Sequence, residues 1–166
     1  MDRRLELLSD MPVVIWVHLI AALLALVIGA LVLWRKKGDA RHRFLGRFWV
    51  MLMLVVATSS FWIREINSGG FSPIHLLSIF SCYSVVAGVI AIRTRPRSPD
   101  TLSRHRKSMQ SLYVYGMLIA GGFTFLPHRL LGRLTFGETL PMINYALVTV
   151  LVLTAVWWLV RLNRAG

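Results

Sequence analysis

The chain contains a single cysteine, Cys82, among its 166 residues. One cysteine excludes an internal disulfide, a cysteine-rich zinc site and the C-x-x-C-H attachment of a c-type haem. Charged residues are also few, at 16%, whereas hydrophobic residues reach 56% and the mean hydropathy is +0.63. This balance lies far above a soluble average and predicts a membrane protein.

Acidic residues are the scarcest charged type, with seven against 19 lysines and arginines, for a net charge of +12. None of the seven lies inside an apolar segment, whereas proton and cation transporters normally place carboxylates at membrane depth. The sequence pI of 11.4 would suit a nucleic-acid-binding protein. The basic residues, however, flank apolar segments, where anionic lipid head groups are the expected partners. We therefore expect a lipid bilayer and no nucleic acid.

Five apolar segments approach the ~20 residues needed to cross ~30 Å of hydrocarbon. They are predicted at residues 13–34, 44–63, 71–92, 108–126 and 142–160, within one membrane domain that covers residues 1–166. The fold class predicted is an all-α integral membrane bundle, with a four-helix up-down core and a fifth transmembrane helix. The first segment is longer than a signal-peptide core and lacks a small-residue cleavage site, so we expect it to remain as a helix.

The tryptophans lie near the segment ends, where an indole keeps its ring in acyl chains and its N–H near water. All six are interpreted as interface anchors: Trp16, Trp34, Trp49, Trp62, Trp157 and Trp158. Lysines and arginines give the orientation, because all but five of the 19 lie in the connections on one side. The five on the other side are Arg3, Arg4, Arg64, Arg129 and Arg133. The positive-inside rule then predicts an outside amino terminus and a cytoplasmic carboxyl terminus in a bacterial-type inner membrane.

Histidines are the most informative polar residues. His18 and His75 fall ~7 Å and ~6 Å below the outer face, on the first and third helices. His42 and His105 share the cytoplasmic level, because both precede even-numbered apolar segments whose helices we expect to extend into the head groups. First and third helices, like second and fourth, are diagonal partners in an up-down bundle. We therefore predict that each pair holds the iron of a b-type haem, one or two in all, for electron transfer across the membrane.

Neighbouring residues fit such cofactors but also have simpler explanations. Gly46 and Met109 each lie one turn from a predicted ligand, and Arg47 and Arg129 are candidate partners for propionates. The small residues on the face of His18 leave room for a porphyrin or, equally, allow close helix packing: Ala21, Ala22, Ala25 and Gly29. Each arginine also suits a lipid phosphate, and His42 or His105 alone suits a solvated interface. No catalytic residue is assigned, and His128 has no matching partner.

Other functions remain open on these residues. The histidines of a non-catalytic membrane subunit or assembly factor would make packing hydrogen bonds or bind a transition metal. A quinone or another small molecule would instead occupy a pocket between the helices. For the haem hypothesis, a quinone, a small reductant or a larger membrane complex are the candidate partners, and the activity would be that of a transmembrane electron-transfer oxidoreductase.

Three motifs carry a family resemblance. They are H-R-F-L-G-R from His42, F-S-P-I-H-L-L from Phe71 and H-R-K-S-M from His105. Together they resemble the predicted membrane-protein family called domain of unknown function 2306. The resemblance marks a set of positions in this sequence, with His18 as a weaker one: His42, Gly46, Arg47, Ser60, His75, His105, Met109 and Arg129. The layout of two histidine pairs is also similar to that of the cytochrome b561 superfamily, which implies two b haems in a four-helix core.

Overall fold

The computed structural model of the chain describes residues 11–63 and 74–126 continuously, and elsewhere positions 9, 132, 142, 145–146, 148–150, 152–154 and 157. Every regular element in these described parts is helical, which confirms the all-α class. The elements are α1 (Val13–Trp34), α2 (Ala40–Ser59), a 3-10 turn (Ser60–Trp62), α3 (Ile74–Arg93), α4 (Pro99–Tyr113), a π-helix (Val114–Ile119) and α5 (Ala120–Thr124).

Three of the described helical stretches are long and apolar enough to cross a membrane. They cover Val13–Trp34, Ala40–Trp62 and His75–Arg93, with mean hydropathies of 2.7, 1.7 and 2.0. Most of the side chains that α1 exposes are large and apolar, as contact with acyl chains requires. The chain is therefore a multi-pass helical membrane protein. The described positions between 142 and 157 are also helical.

Helices α2 and α4 begin before the apolar segments that they contain, because capping residues lie upstream. The Asp39 carboxylate accepts a hydrogen bond of 2.6 Å from the backbone N–H of His42 at the start of α2. At the start of α4, Ser98 and Thr101 exchange side-chain and backbone hydrogen bonds in a capping box, and Pro99 follows the cap. These caps extend both helices past the apolar segments, so His42 and His105 each lie within a helix.

The helices pack in a closed ring. α1 packs on α2, α2 on α3 and α3 on α4, and α1 also meets α4 and the π-helix. This order places α1 opposite α3 and α2 opposite α4. The centre of the ring is filled by buried apolar and aromatic side chains: Ala25, Trp49, Met53, Val85, Met109, Leu112, Tyr113 and Met117.

Trp49 is not an interface anchor, and the sequence interpretation is wrong for this residue. Its side chain is 1% exposed, and its indole Nε1–H donates a 2.9 Å hydrogen bond to the Ala25 carbonyl oxygen of α1. The reason is that α2 begins at Ala40, so Trp49 lies ~14 Å along the helix rather than at its end. Trp34 and Trp62, by contrast, are 84% and 70% exposed, as anchors should be.

Gly29 decides between the two explanations of the small residues on α1. A Cβ atom on Gly29 would lie 2.5 Å from Nε1 of Trp49 and 2.7 Å from the ring of Tyr113. The absence of a side chain therefore lets α1 approach both aromatic residues. Ala21 and Ala25 are also buried. Close helix packing, rather than space for a macrocycle, accounts for this part of the face.

We expect Gly29→Ala to destabilise the protein by about 1–3 kcal/mol, because the added methyl group must displace two packed rings. Gly121→Ala is the matched control, since a Cβ at Gly121 meets nothing within 4 Å. The control should be neutral or slightly stabilising, as alanine is the better helix former. Unfolding of both variants in mixed detergent micelles measures the difference. Equal stabilities would contradict the packing described here.

Candidate functional site

His18 is held by the end of α2. Its Nδ1 lies 2.9 Å from Oγ of Ser59, and that hydroxyl donates to the Val55 carbonyl oxygen at 2.6 Å. With the hydroxyl proton on the Val55 carbonyl, the tautomer of His18 that fits both bonds carries its proton on Nδ1 and donates to Ser59. The lone pair of the neutral imidazole is then on Nε2, the nitrogen that can bind a metal.

His75 lies on α3, beside the 3-10 turn that follows α2. Its side chain is 2% exposed, and its ring centre is 5.9 Å from that of Phe61. One turn further along α3, Oγ of Ser78 lies 2.5 Å from Oγ of Ser60. The end of α2 therefore connects with both His18 and His75, and we call this group the Ser59–Ser60 cluster: His18, Ser59, Ser60, Phe61, His75 and Ser78.

His105 has the same tautomer as His18, fixed by a different acceptor. Its Nδ1 lies 2.8 Å from the carbonyl oxygen of Gly88 on α3. A carbonyl only accepts, so Nδ1 carries the proton and Nε2 the lone pair. Histidines that bind metals usually donate their other ring N–H to a backbone carbonyl or carboxylate in this way, which fixes both tautomer and ring orientation.

His42 carries one of the two buried side-chain atoms without a hydrogen-bond partner among the described residues. That atom is Nδ1, while the Val32 carbonyl hydrogen-bonds to the ring and Lys37 and His105 act on it electrostatically. A buried polar atom without a partner is uncommon in folded proteins and calls for a ligand, a water or a functional role. The structure thus brings His42 and His105 into one electrostatic environment, and we call them the His42–His105 pair.

Positive charge lies on one side of this pair, because Lys37 acts electrostatically on His42. Lys37 donates to the carbonyl oxygens of Val32, Leu33 and Arg35 at the end of α1. Burial, with a smaller contribution from the nearby Arg106 guanidinium, lowers the pKa of Lys37. The backbone N–H of His42 is the largest influence that lowers the pKa of Asp39, and Arg35 adds to it.

Residues 15–160 of the chain match the protein family described as "Predicted membrane protein (DUF2306)". The chain belongs to this family. No curated protein and no solved structure matches the DUF2306 chain. The match covers both histidine pairs.

The remaining predicted site residues of the DUF2306 chain differ from one another in how deeply they are buried. Met109 is buried, and its terminal methyl group packs against Gly88, the residue that holds His105. Gly46 is partly buried, with Val32 at 4.0 Å from the position of its absent Cβ, whereas Arg47 is exposed. Arg129 and His128 lie outside the described residues.

Two features of the site, the burial of Ser81 and Ser84 and the π-helix, were not predicted from the sequence, whereas Ser78 was a candidate for orienting a histidine ring. Ser78, Ser81 and Ser84 are all buried on α3, at three-residue intervals that follow His75. Ser81 also lies 2.9 Å from the position of the absent Cβ of Gly116, within the π-helix. Single-turn π-helices occur often at functional sites. The serine spacing was visible in the sequence, but nothing in it indicated the π-helix.

The donor set favours a two-imidazole site over a conventional metal site. Among the residues that the structure describes, no three histidine, cysteine or carboxylate side chains are close enough to hold a metal ion. Two neutral imidazoles with available nitrogens are sufficient for a haem iron, since the macrocycle supplies the other four ligands. The chemistry of the histidines therefore fits a haem, while the centre of the helix ring is already filled.

Proposed function

We propose that this protein is a membrane electron carrier that binds b-type haem at the His42–His105 pair, with a second haem at His18 and His75. The observation that supports it best is that each histidine of the His42–His105 pair has a ring nitrogen without a hydrogen-bond partner among the described residues. The Gly88 carbonyl holds Nδ1–H of His105 and leaves Nε2 available, while Nδ1 of His42 is buried without a partner.

A haem with two imidazole ligands has no open position for oxygen, so the chemistry that it supplies is one-electron transfer. The protein side chains do the rest. Gly88 orients the His105 ring, Ser59 orients the His18 ring, and Met109 packs against the Gly88 backbone. Trp49, Met53 and Leu112 fill the space between the two levels and exclude water from it.

The two levels are separated along the membrane normal. His75 and Gly88 are thirteen residues apart on α3, which corresponds to ~20 Å. We propose that the His42 end is cytoplasmic, in a bacterial-type inner membrane, because most of the lysines and arginines lie in the connections at that end. Electrons would then move between a small reductant or quinone on one side and an acceptor, or a larger membrane complex, on the other.

The reduced-minus-oxidised absorption spectrum of the purified protein tests this proposal. We expect sharp b-type bands from protein produced in haem-replete cells or loaded with haemin. A protein that stays colourless in both cases would overturn it and leave a structural subunit or a small-molecule-binding protein. Metal analysis of that colourless protein would then separate a transition-metal site from purely structural histidines.

A further inference from the structure

The connection between α1 and α2 presents more positive charge than its carboxylate neutralises. The sole ion pair among the described residues joins Arg35 to Asp39 at 3.2 Å. The other Asp39 oxygen accepts from the backbone N–H of His42. Both carboxylate oxygens are therefore engaged, while Lys37 is fixed on the end of α1 and the charge of Arg106 on α4 acts on it.

Arg35 has an unused donor at this position. Its Nε is buried and has no hydrogen-bond partner. In the described parts of the chain, Nδ1 of His42 is the one other buried side-chain nitrogen or oxygen in this state. A guanidinium cannot lose its proton at ordinary pH, so Nε–H always needs an acceptor. Arg35, Lys37 and Arg106 form what we call the cationic cluster, whose chemistry calls for an anion with several acceptor oxygens.

An apolar cleft begins next to the cationic cluster. It has a volume of about 310 Å³, near the lower end of the range for small-molecule pockets. The residues that line it belong to α1, α4, the π-helix and the last described helical positions: Ala30, Leu33, Trp34, Tyr113, Leu118, Thr154 and Trp157. Trp34 is the direct neighbour of Arg35 in the chain, and Lys37 donates to the carbonyl oxygen of Leu33, another residue that lines the cleft, so the cleft lies at the end of α1 that carries the cluster.

We propose that the cationic cluster and the cleft together form a binding site for one anionic phospholipid. The phosphate accepts from Arg35 and Arg106, the positive charge of Lys37 adds attraction because its own N–H groups already donate to backbone carbonyls, and one acyl chain occupies the cleft. A zwitterionic phospholipid offers the same acyl chain, but its head-group ammonium would face three cations. The site therefore selects for head-group charge, and none of its residues is a predicted iron ligand, although Lys37 acts electrostatically on His42.

Native mass spectrometry of the full-length protein in detergent, titrated with phosphatidylglycerol or phosphatidylcholine, tests the head-group site. We expect one phosphatidylglycerol molecule to bind preferentially. Arg35→Gln with Arg106→Gln should weaken its binding by about fivefold for each charge removed. Arg95→Gln with Arg97→Gln is the matched control, because it removes two exposed charges from the α3–α4 connection. Equal affinity of both double variants, or equal binding of both lipids, would overturn the proposal.

The acyl-chain part of the site needs a separate variant. Ala30→Phe places a ring in the cleft, whereas Val27→Phe adds the same ring at a position that is 60% exposed. We expect only Ala30→Phe to weaken phosphatidylglycerol binding, and inorganic phosphate at the same concentration should not displace the lipid. Displacement by phosphate would reduce the site to a simple anion site, and equal binding by both variants would reject the cleft. Lipid selectivity in a haem-free preparation separates this result from that of the spectrum.

Discussion

His105→Ala is expected to abolish haem binding at the His42–His105 pair. The substitution removes the imidazole whose Nδ1–H is held by the Gly88 carbonyl, and the remaining His42 cannot form a six-coordinate haem alone. Even loss of an outer partner that orients a metal ligand typically costs 10–100-fold in affinity, so loss of the ligand itself should remove the bands of this site entirely. If both sites bind haem, about half of the total pyridine haemochrome should remain.

Two controls make this result specific. His128→Ala changes a histidine outside both predicted pairs and should leave the haem content unchanged. Met109→Leu conserves volume beside Gly88, and core replacements of this kind are usually tolerated, so its spectrum should also persist. Retention of the full haem content in His105→Ala, with His128→Ala as reference, would show that the iron ligands lie elsewhere.

Trp49→Ala should lower the free energy of unfolding by about 3–5 kcal/mol. The indole is almost fully buried among helices α1, α2 and α4, and deletion of a buried tryptophan ring leaves a cavity that the helices can only partly close. The substitution also removes the hydrogen bond from Nε1 to the Ala25 carbonyl. That carbonyl retains its acceptor role within α1, so the cavity should account for most of the loss.

Trp62→Ala is the matched control for this substitution. Trp62 is 70% exposed, and exposed positions without special contacts usually change stability by less than about 0.5 kcal/mol. Reversible unfolding in mixed micelles, followed by circular dichroism, measures both variants. A Trp49→Ala protein as stable as Trp62→Ala would mean that the ring of helices does not close around this side chain.

The sequence predicted the fold better than it predicted the contacts. Hydropathy alone placed α1 at the residues where the structure has it, since the length of an apolar run follows from the thickness of the bilayer. The same argument failed for Trp49, because a side chain facing lipid and one facing another helix are equally apolar. In a membrane protein, the amphipathic pattern that tells a core face from a surface face in a soluble helix is therefore weak.

For the candidate site, too, the sequence predicted positions along the helices but not the contacts between side chains. The levels of the four histidines follow from spacing along the helices, but their acceptors do not. The Gly88 carbonyl has no side chain to mark it, and Ser59 becomes an acceptor for His18 only because α2 continues to it. Buried serines such as Ser81 were overlooked because a hydroxyl that bonds to its own helix, here to the Leu77 carbonyl at 2.8 Å, is compatible with any position in a span.

The widened turn at Val114–Ile119 has a consequence for how the helix that contains it can be altered. A π-helix bonds residue i to i+5 and so holds one residue more than an α-helical turn. It sets the rotational phase of the later residues, such as Gly122, which faces Val148, independently of His105, which faces Gly88. Regular α-helical winding of the same residues would turn everything beyond them by ~100° about the helix axis, whereas deletion of one residue within this turn would restore regular winding and leave the later residues facing nearly as before. The extra residue therefore allows one continuous helix to face Gly88 at its start and Val148 near its end.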